Sequence, residues 1–275
     1  MVEKQNYAWN ADDYAKHSSS QYKWATELIP KLKLSGNETL LDIGCGDGKI
    51  TAVLAKSLPL GCVVGIDSSE DIISLARRTF PHNAYPNLSF QRMDARELTF
   101  QAKFDRVFSN AALHWIIDQQ SVLHGVQRSL KSGGRILFQM GGQGNAQAIL
   151  AVLDELLSRE PWRKFFEGFC FPYGFYAPEE YRLWLVEAKL EPERVEFLQK
   201  DMQLPGKAGL AGWIRTTWLP YTERLPPKLR DAFIEAIVDA YLEKHPLDAA
   251  GTAHVAMVRL EVEASKSAMA GSERV

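Results

Sequence analysis

The stretch Leu41-Asp42-Ile43-Gly44-Cys45-Gly46-Asp47-Gly48 decides the fold of this chain. The apolar run at 39–43 reads as a buried strand, and the glycines after it let the backbone turn sharply and come close to a ligand. Residues 49–57 then carry Ile50, Val53 and Leu54 on one face at helical spacing. The turn therefore opens onto a helix N-terminus, where backbone N–H groups have no partner inside the helix. A dinucleotide fingerprint requires G-x-G-x-x-G. Gly44 and Gly46 fit it, but Lys49 stands where the third glycine belongs and Gly48 falls one residue early. Asp42 and Asp47 flank the turn with negative charge, which repels a pyrophosphate and suits a cofactor with a cationic amino-acid end. NAD or FAD is the weaker reading.

Working outward, strands and helices alternate. Residues 63–67 read as a second strand and 69–79 as a second helix, with Ser68 or Ser69 as its cap. Residues 88–91 form a third strand closed by Asp94, and 104–108 a fourth, followed by a loop over 109–115. Residues 121–130 read as a helix stopped by Ser132-Gly133-Gly134, and 135–140 as a fifth strand. This order predicts right-handed crossovers and a doubly wound, mostly parallel α/β sheet, with ligands expected beyond the carboxyl ends of the strands. The second half reads differently, with helices predicted over 146–159, 178–187, 210–217 and 227–244. Residues 161–175 are dense in Trp and Phe, 194–197 reads as a sixth strand and 254–262 as a last, edge-like one.

Composition narrows the function classes. Of 275 residues 46% are hydrophobic and 24% charged, and 32 basic against 34 acidic residues leave a net charge of −2. No general affinity for nucleic acid follows from such a balance, and Arg77-Arg78 reads as solvated surface. The cysteines number three, an odd count without a C-x-x-C pair, so no disulfide framework is expected. No His/Cys spacing suits a metal. Residues 1–20 lack the apolar core of a signal peptide, and no apolar run approaches the roughly 20 residues that span a bilayer. The expectation is a cytoplasmic protein without membrane or nucleic-acid partners. The oligomeric state stays open, with a monomer the simplest case.

With these residues in view, the turn resembles motif I of the class I S-adenosylmethionine-dependent methyltransferases, whose cofactor carries an ammonium and a sulfonium. The resemblance implies their seven-stranded Rossmann-like fold with a helical lid. It also implies S-adenosyl-L-methionine as cofactor, with Asp42, Gly44, Cys45 and Gly46 at the first turn. Asp67 matches the acid that accepts both ribose hydroxyls, with Ser68 beside it. Asp94 and Ala95 match the station near the adenine amino group, and Ser109 and Asn110 the loop beside the methionine part.

The chain is further similar to the trans-aconitate and juvenile hormone acid methyltransferases, over almost its whole length. That similarity rests on residues 14–21, on Leu113-His114-Trp115, and on Trp218-Leu219-Pro220-Tyr221 through Pro226. It implies that Gln21 and Trp115 donate N–H bonds to a substrate carboxylate and that Tyr14 helps close the site over the cofactor. One departure stands out. Trans-aconitate enzymes tend to have Gly-Leu-Arg-Pro where this chain has Trp218-Leu219-Pro220, so an arginine is missing, and Arg215 or Arg224 are the candidates to replace it. The aromatic residues from Trp162 to Tyr181 point either to an apolar acid or simply to lid core. Plain packing is the alternative for Trp115, and a surface position for Gln21 and Tyr14. His114 reads either as lining or as a general base for a hydroxyl or amine.

The expected domains are an N-terminal helical flap (1–35), a cofactor-binding core (36–140) and a helical lid or substrate region (141–250). A last strand (251–263) and a disordered tail (264–275) follow. The expected function is methyl transfer to the carboxylate of a small organic acid, apolar or trans-aconitate-like, without a metal. The alternatives are transfer to a hydroxyl, nitrogen or carbon of another small molecule, and a non-catalytic cofactor-binding module.

Overall fold

The computed structural model describes residues 19–268, with side chains from Tyr22 onward. The described chain divides into two compact units: residues 21–143, 173–198 and 259–268 in one, and 19–20, 144–172 and 199–258 in the other.

The end of β6 (Glu191–Pro205) and the start of β7 (Thr252–Ser265) belong to the second unit, and the first holds the rest of the sheet. In chain order it contains α1 (Ser19–Leu28), β1 (Thr39–Ile43), α2 (Lys49–Lys56), β2 (Cys62–Asp67), α3 (Glu70–Thr79) and β3 (Leu88–Arg92). Then come β4 (Phe104–Asn110), α4 (Gln119–Ser129) and β5 (Leu130–Gly141). The seven strands run in the order β3-β2-β1-β4-β5-β7-β6. The first five are parallel to one another, as the alternation predicts, and β7 lies antiparallel against β5.

Both faces of the parallel strands are covered. Leu40 faces a cluster with Leu54, Ile73 and Leu28, while Leu41 and Ile43 face Val122, Val126 and Tyr181 on the other side. Each such buried aliphatic or aromatic side chain contributes roughly 1.5–3 kcal/mol of apolar burial. Ser69 caps α3, its hydroxyl accepting from Ile72 N, where either serine suited the pattern.

Several boundaries differ from the sequence reading. The buried face of α2 is Thr51, Ala52, Leu54 and Ala55, whereas Ile50 and Val53 are only half-buried. Small residues turn inward because the helix packs close to the sheet, which periodicity of large apolar residues does not report. Ser132-Gly133-Gly134 does not end the fourth crossover but lies inside β5, which pairs with β4 from Phe104↔Leu130 across a register shift.

The last strand, predicted at an edge, sits between β5 and β6; β7 runs Thr252–Ser265 and β6, at the edge, Glu191–Pro205 rather than 194–197. Ala264 and Ser265, expected in a disordered tail, close β7, and Lys266 Nζ donates to Gln127 O and Leu130 O at 2.8 and 2.9 Å.

The second unit holds α5 (Gln147–Leu157). α6 (Pro178–Glu187) belongs to the first unit, and α7 (Gly206–Thr217), α8 (Leu219–Thr222) and α9 (Pro227–Lys244) return to the second. Its core is aromatic. Trp162 and Phe166 lie 5.0 and 5.6 Å from the Phe233 ring, and Phe169 lies 4.8 Å from Tyr221. Much of the Trp/Phe density after Pro161 is thus packing within this unit. No helix among the described residues is long and apolar enough to cross a membrane.

Candidate cofactor and substrate site

The carboxyl ends of β1, β2 and β4 bring the sequence-marked residues together. After Ile43 the chain breaks from the sheet, and the N–H groups of both Gly44 and Cys45 donate to Ile66 O at 2.8 and 2.9 Å. Gly44 adopts φ +74, and a Cβ there would stand 2.1 Å from Ala112 Cβ, so the turn and the loop after β4 touch where only hydrogen fits. Gly46 has φ +54, and a Cβ there would meet nothing within 4 Å. The space above Gly46 is open.

Three acid groups lie near that turn. Asp42 is buried and accepts from Thr51 Oγ1 at 2.7 Å. Burial pushes its carboxyl up to about 7, the Thr51 hydrogen bond pulls it down, and the Asp67 charge raises it further. Asp67 accepts from Gly46 N at 3.2 Å and from Ser69 N at 3.0 Å; burial holds it above the usual carboxylate range against those bonds. The Cys45 thiol is pushed well up by burial and by the same two acids, which makes it a poor nucleophile. Asp47 pairs with Lys49 Nζ at 2.8 Å. Asp42 and Asp67 have no such cation among the described residues. An open space over Gly46, with Asp67 hydrogen-bonded to that glycine and Asp42 buried beside the turn, fits a cofactor that brings positive charge.

The other stations are less uniform. Asp94 caps a short turn, accepting from Arg96 N, and its carboxylate is gripped by the Arg96 side chain at 3.0 and 2.6 Å. Ala95 beside it is buried, and Ser68 is exposed. Ser109 is fully buried and its hydroxyl donates to Ile43 O at 2.8 Å, tying the ends of β4 and β1 together. Asn110 ends β4 level with Gln139 of β5.

Ala111 takes the left-handed region, φ +55, and starts the loop that carries Leu113, His114 and Trp115. That loop is held from below. Gln119 Nε2 donates to Leu113 O and Ile116 O at 2.7 and 2.6 Å, and the buried Tyr181 hydroxyl donates to Gln119 Oε1 at 2.9 Å.

His114 and Trp115 form an aromatic group with Tyr173 and Phe175. The Tyr173 ring lies 5.1 Å from Trp115 and stacks on Phe175 at 5.3 Å, and Phe175 lies 5.8 Å from His114. Gly141 N donates to His114 Nδ1 at 3.4 Å. Burial holds the imidazole well below its ordinary range, and the Arg259 charge acts in the same direction. With Nδ1 accepting, the neutral ring carries its proton on Nε2.

Gln21 lies in α1, with its side chain outside the described residues, and Tyr14 lies outside them altogether. The two arginines considered as replacements sit in the second unit; Arg224 is spent on Phe165 O and Glu167 O at 2.6 and 3.0 Å. Arg259, which the sequence reading passed over, lies on β7 beside this site. Its signal was an arginine in the inward phase of the strand, where Val255 and Met257 precede it. Among the described residues no group of three or more His, Cys, Asp or Glu could hold a metal.

The family model described as a methyltransferase domain matches residues 34–161. Together with the seven-stranded fold and a relative above 30% identity that covers most of both chains, this places the chain among the class I S-adenosylmethionine-dependent methyltransferases, to which it belongs. That relative is the uncharacterized methyltransferase C70.08c of Schizosaccharomyces pombe, 32% identical over 85% of this chain and 89% of its own. A trans-aconitate 2-methyltransferase of Methylobacterium nodulans is 26% identical over 94% of this chain and 98% of its own. The crystal structure of the YcgJ protein from Bacillus subtilis superposes with a TM-score of 0.64 at 17% identity, covering 90% and 99% of the two chains, and shares the fold.

Proposed function

We propose that this enzyme methylates a carboxylate of a small organic acid. When bound, S-adenosylmethionine supplies an electrophilic methyl group on a sulfonium. The observation that carries the reading is the setting of His114: burial and the Arg259 charge hold its imidazole well below the ordinary range, and Gly141 N faces its Nδ1 at 3.4 Å, which makes it a poor base for a hydroxyl or ammonium. A carboxylate needs no such base, because it is ionised at pH 7. The trans-aconitate relatives support the same choice.

In this reading Asp67 accepts the two ribose hydroxyls, and Asp42 with the Gly44–Gly46 turn faces the cationic amino-acid end. Asp94, Ser68 and Ala95 border the adenine, and Ser109 and Asn110 hold the loop beside the methionine part. Gln21 and Trp115 orient the substrate carboxylate, and Tyr14 closes over the cofactor. Trp115, Tyr173 and Phe175 exclude water. Transfer neutralises two opposite charges, so a dry aromatic wall favours the less polar transition state, and positioning supplies most of the acceleration.

Incubation with labelled cofactor and a panel of acids, amines and phenols tests this. Ester formation is expected with acids alone, and His114→Ala is expected to keep activity on them. Transfer confined to amines or phenols, abolished by His114→Ala, sinks the acid reading.

A pH dependence follows from Asp42. Its folded value of about 7 lies above the ordinary 3.8, so the ligand-free fold is favoured by keeping that proton and loses this contribution as pH rises towards 7. Cofactor affinity runs the opposite way, since only the carboxylate attracts an ammonium. Calorimetric titration is expected to show affinity rising up to about tenfold per unit below pH 7 and levelling above it. Asp42→Asn should flatten that profile; a slope that survives the substitution assigns the proton to another group.

A further inference from the structure

Arg259 and Glu261 lie two residues apart on the same phase of β7, and the fold treats them oppositely. Glu261 is fully buried and satisfied: Lys31 Nζ lies 2.5 Å from it, Gln139 Nε2 donates at 2.8 Å, and Arg194 reaches it as well. Arg259 is 3% exposed, yet its Nε and Nη2 are buried without an acceptor, and no carboxylate among the described residues pairs with it. Its guanidinium lies over the Trp24 ring at 5.3 Å. Its register partner on β5 is Gly141, the residue whose N–H meets His114, so no side chain opposes it at the carboxyl end of that strand. Burial lowers it only to about 10, leaving it charged at neutral pH. A buried charge without a partner is costly, and one kept beside a binding site calls for an anion. Nε and Nη2 form one edge of the guanidinium, the edge that meets both oxygens of a carboxylate at once.

Which carboxylate it meets follows from the chemistry. Transfer removes the charge of the reacting carboxylate. A guanidinium on that group would stabilise the substrate more than the transition state and slow the step. A carboxylate that keeps its charge is held equally throughout.

We propose that Arg259 binds a second, unreacting carboxylate of the substrate, so that the acceptor is a di- or tricarboxylic acid. The proposal rests on the acid reading above and selects, within it, against an apolar monoacid.

The probes are trans-aconitate, glutaconate and trans-2-pentenoate, the last being glutaconate with one carboxylate replaced by methyl. With the full-length enzyme and labelled cofactor, kcat/KM is expected to favour glutaconate over trans-2-pentenoate by about 30-fold or more, the scale of a buried charged pair. Arg259→Gln should bring that ratio close to one through KM, with kcat within about 3-fold. Arg259→Lys, which keeps the charge but loses the planar edge, should fall between. Should Arg259→Gln fail to fold, wild-type binding in the presence of S-adenosylhomocysteine decides: glutaconate should bind at least 30-fold more tightly than trans-2-pentenoate by calorimetry, about the same scale. Equal turnover of the mono- and diacid, or a preference that survives Arg259→Gln, overturns the proposal while leaving acid methylation intact. If no acid is methylated and amines or phenols are, the acid reading falls and this proposal with it.

Discussion

Gly44→Ala is expected to destabilise the protein by about 3 kcal/mol or more, because two penalties act at one atom. An L side chain at φ +74 costs roughly 1–2 kcal/mol. The added methyl would also lie 2.1 Å from Ala112 Cβ, an overlap relieved only by moving the loop that carries His114 and Trp115. Overpacking of that kind costs about 1–3 kcal/mol. For a chain of this length each kcal/mol lowers Tm by roughly 2–4 °C. Gly46→Ala is the control. Its φ of +54 carries the same backbone penalty, but its Cβ would meet nothing within 4 Å. A drop of only about 1–2 kcal/mol is expected there, with most of the loss appearing in cofactor affinity, since the methyl enters the open space. Thermal denaturation beside calorimetric titration separates the two. Equal stability loss at both positions contradicts the contact between turn and loop.

Asp67→Ala is expected to weaken cofactor binding by about 100-fold or more while costing little stability. In the proposed site the carboxylate accepts two ribose hydroxyls, and hydrogen bonds to a charged group contribute about 1.5–3 kcal/mol each. Its Oδ2 also receives Gly46 N at 3.2 Å, so its loss loosens the glycine turn. Stability changes less because two effects oppose. The hydrogen bonds from Gly46 N and Ser69 N are lost, but so is a half-buried charge whose carboxyl burial had pushed up. Asp67→Asn should lie between, since an amide has one acceptor atom where the carboxylate has two. An unchanged affinity in both variants removes Asp67 from the cofactor site.

The placement of the proposed cofactor residues at strand ends was legible because each station is local. A strand, a glycine turn and an acid lie within a few residues of one another, and their spacing reflects backbone geometry that neighbours in sequence impose. Ser109 shows the limit of such reading. Its place in the pattern was visible, but not that its hydroxyl would be used on Ile43 O. Asp94 is similar, being matched by position yet held by Arg96. For His114 the residue could be picked out, whereas its protonation state depends on Gly141 and on packing by Tyr173 and Phe175.

By itself, the order of apolar runs and turns determined a parallel, doubly wound sheet and the location of its glycine turn, since periodicity and φ > 0 are properties of short segments. Only tertiary structure decided that β7 enters the sheet between β5 and β6, and that the aromatic residues after Pro161 divide between the two units. It alone set Arg259 beside Trp24 and opposite Gly141. Those meetings join residues more than a hundred positions apart. They are settled by which faces bury together and which charges find partners, and no window of sequence contains that competition.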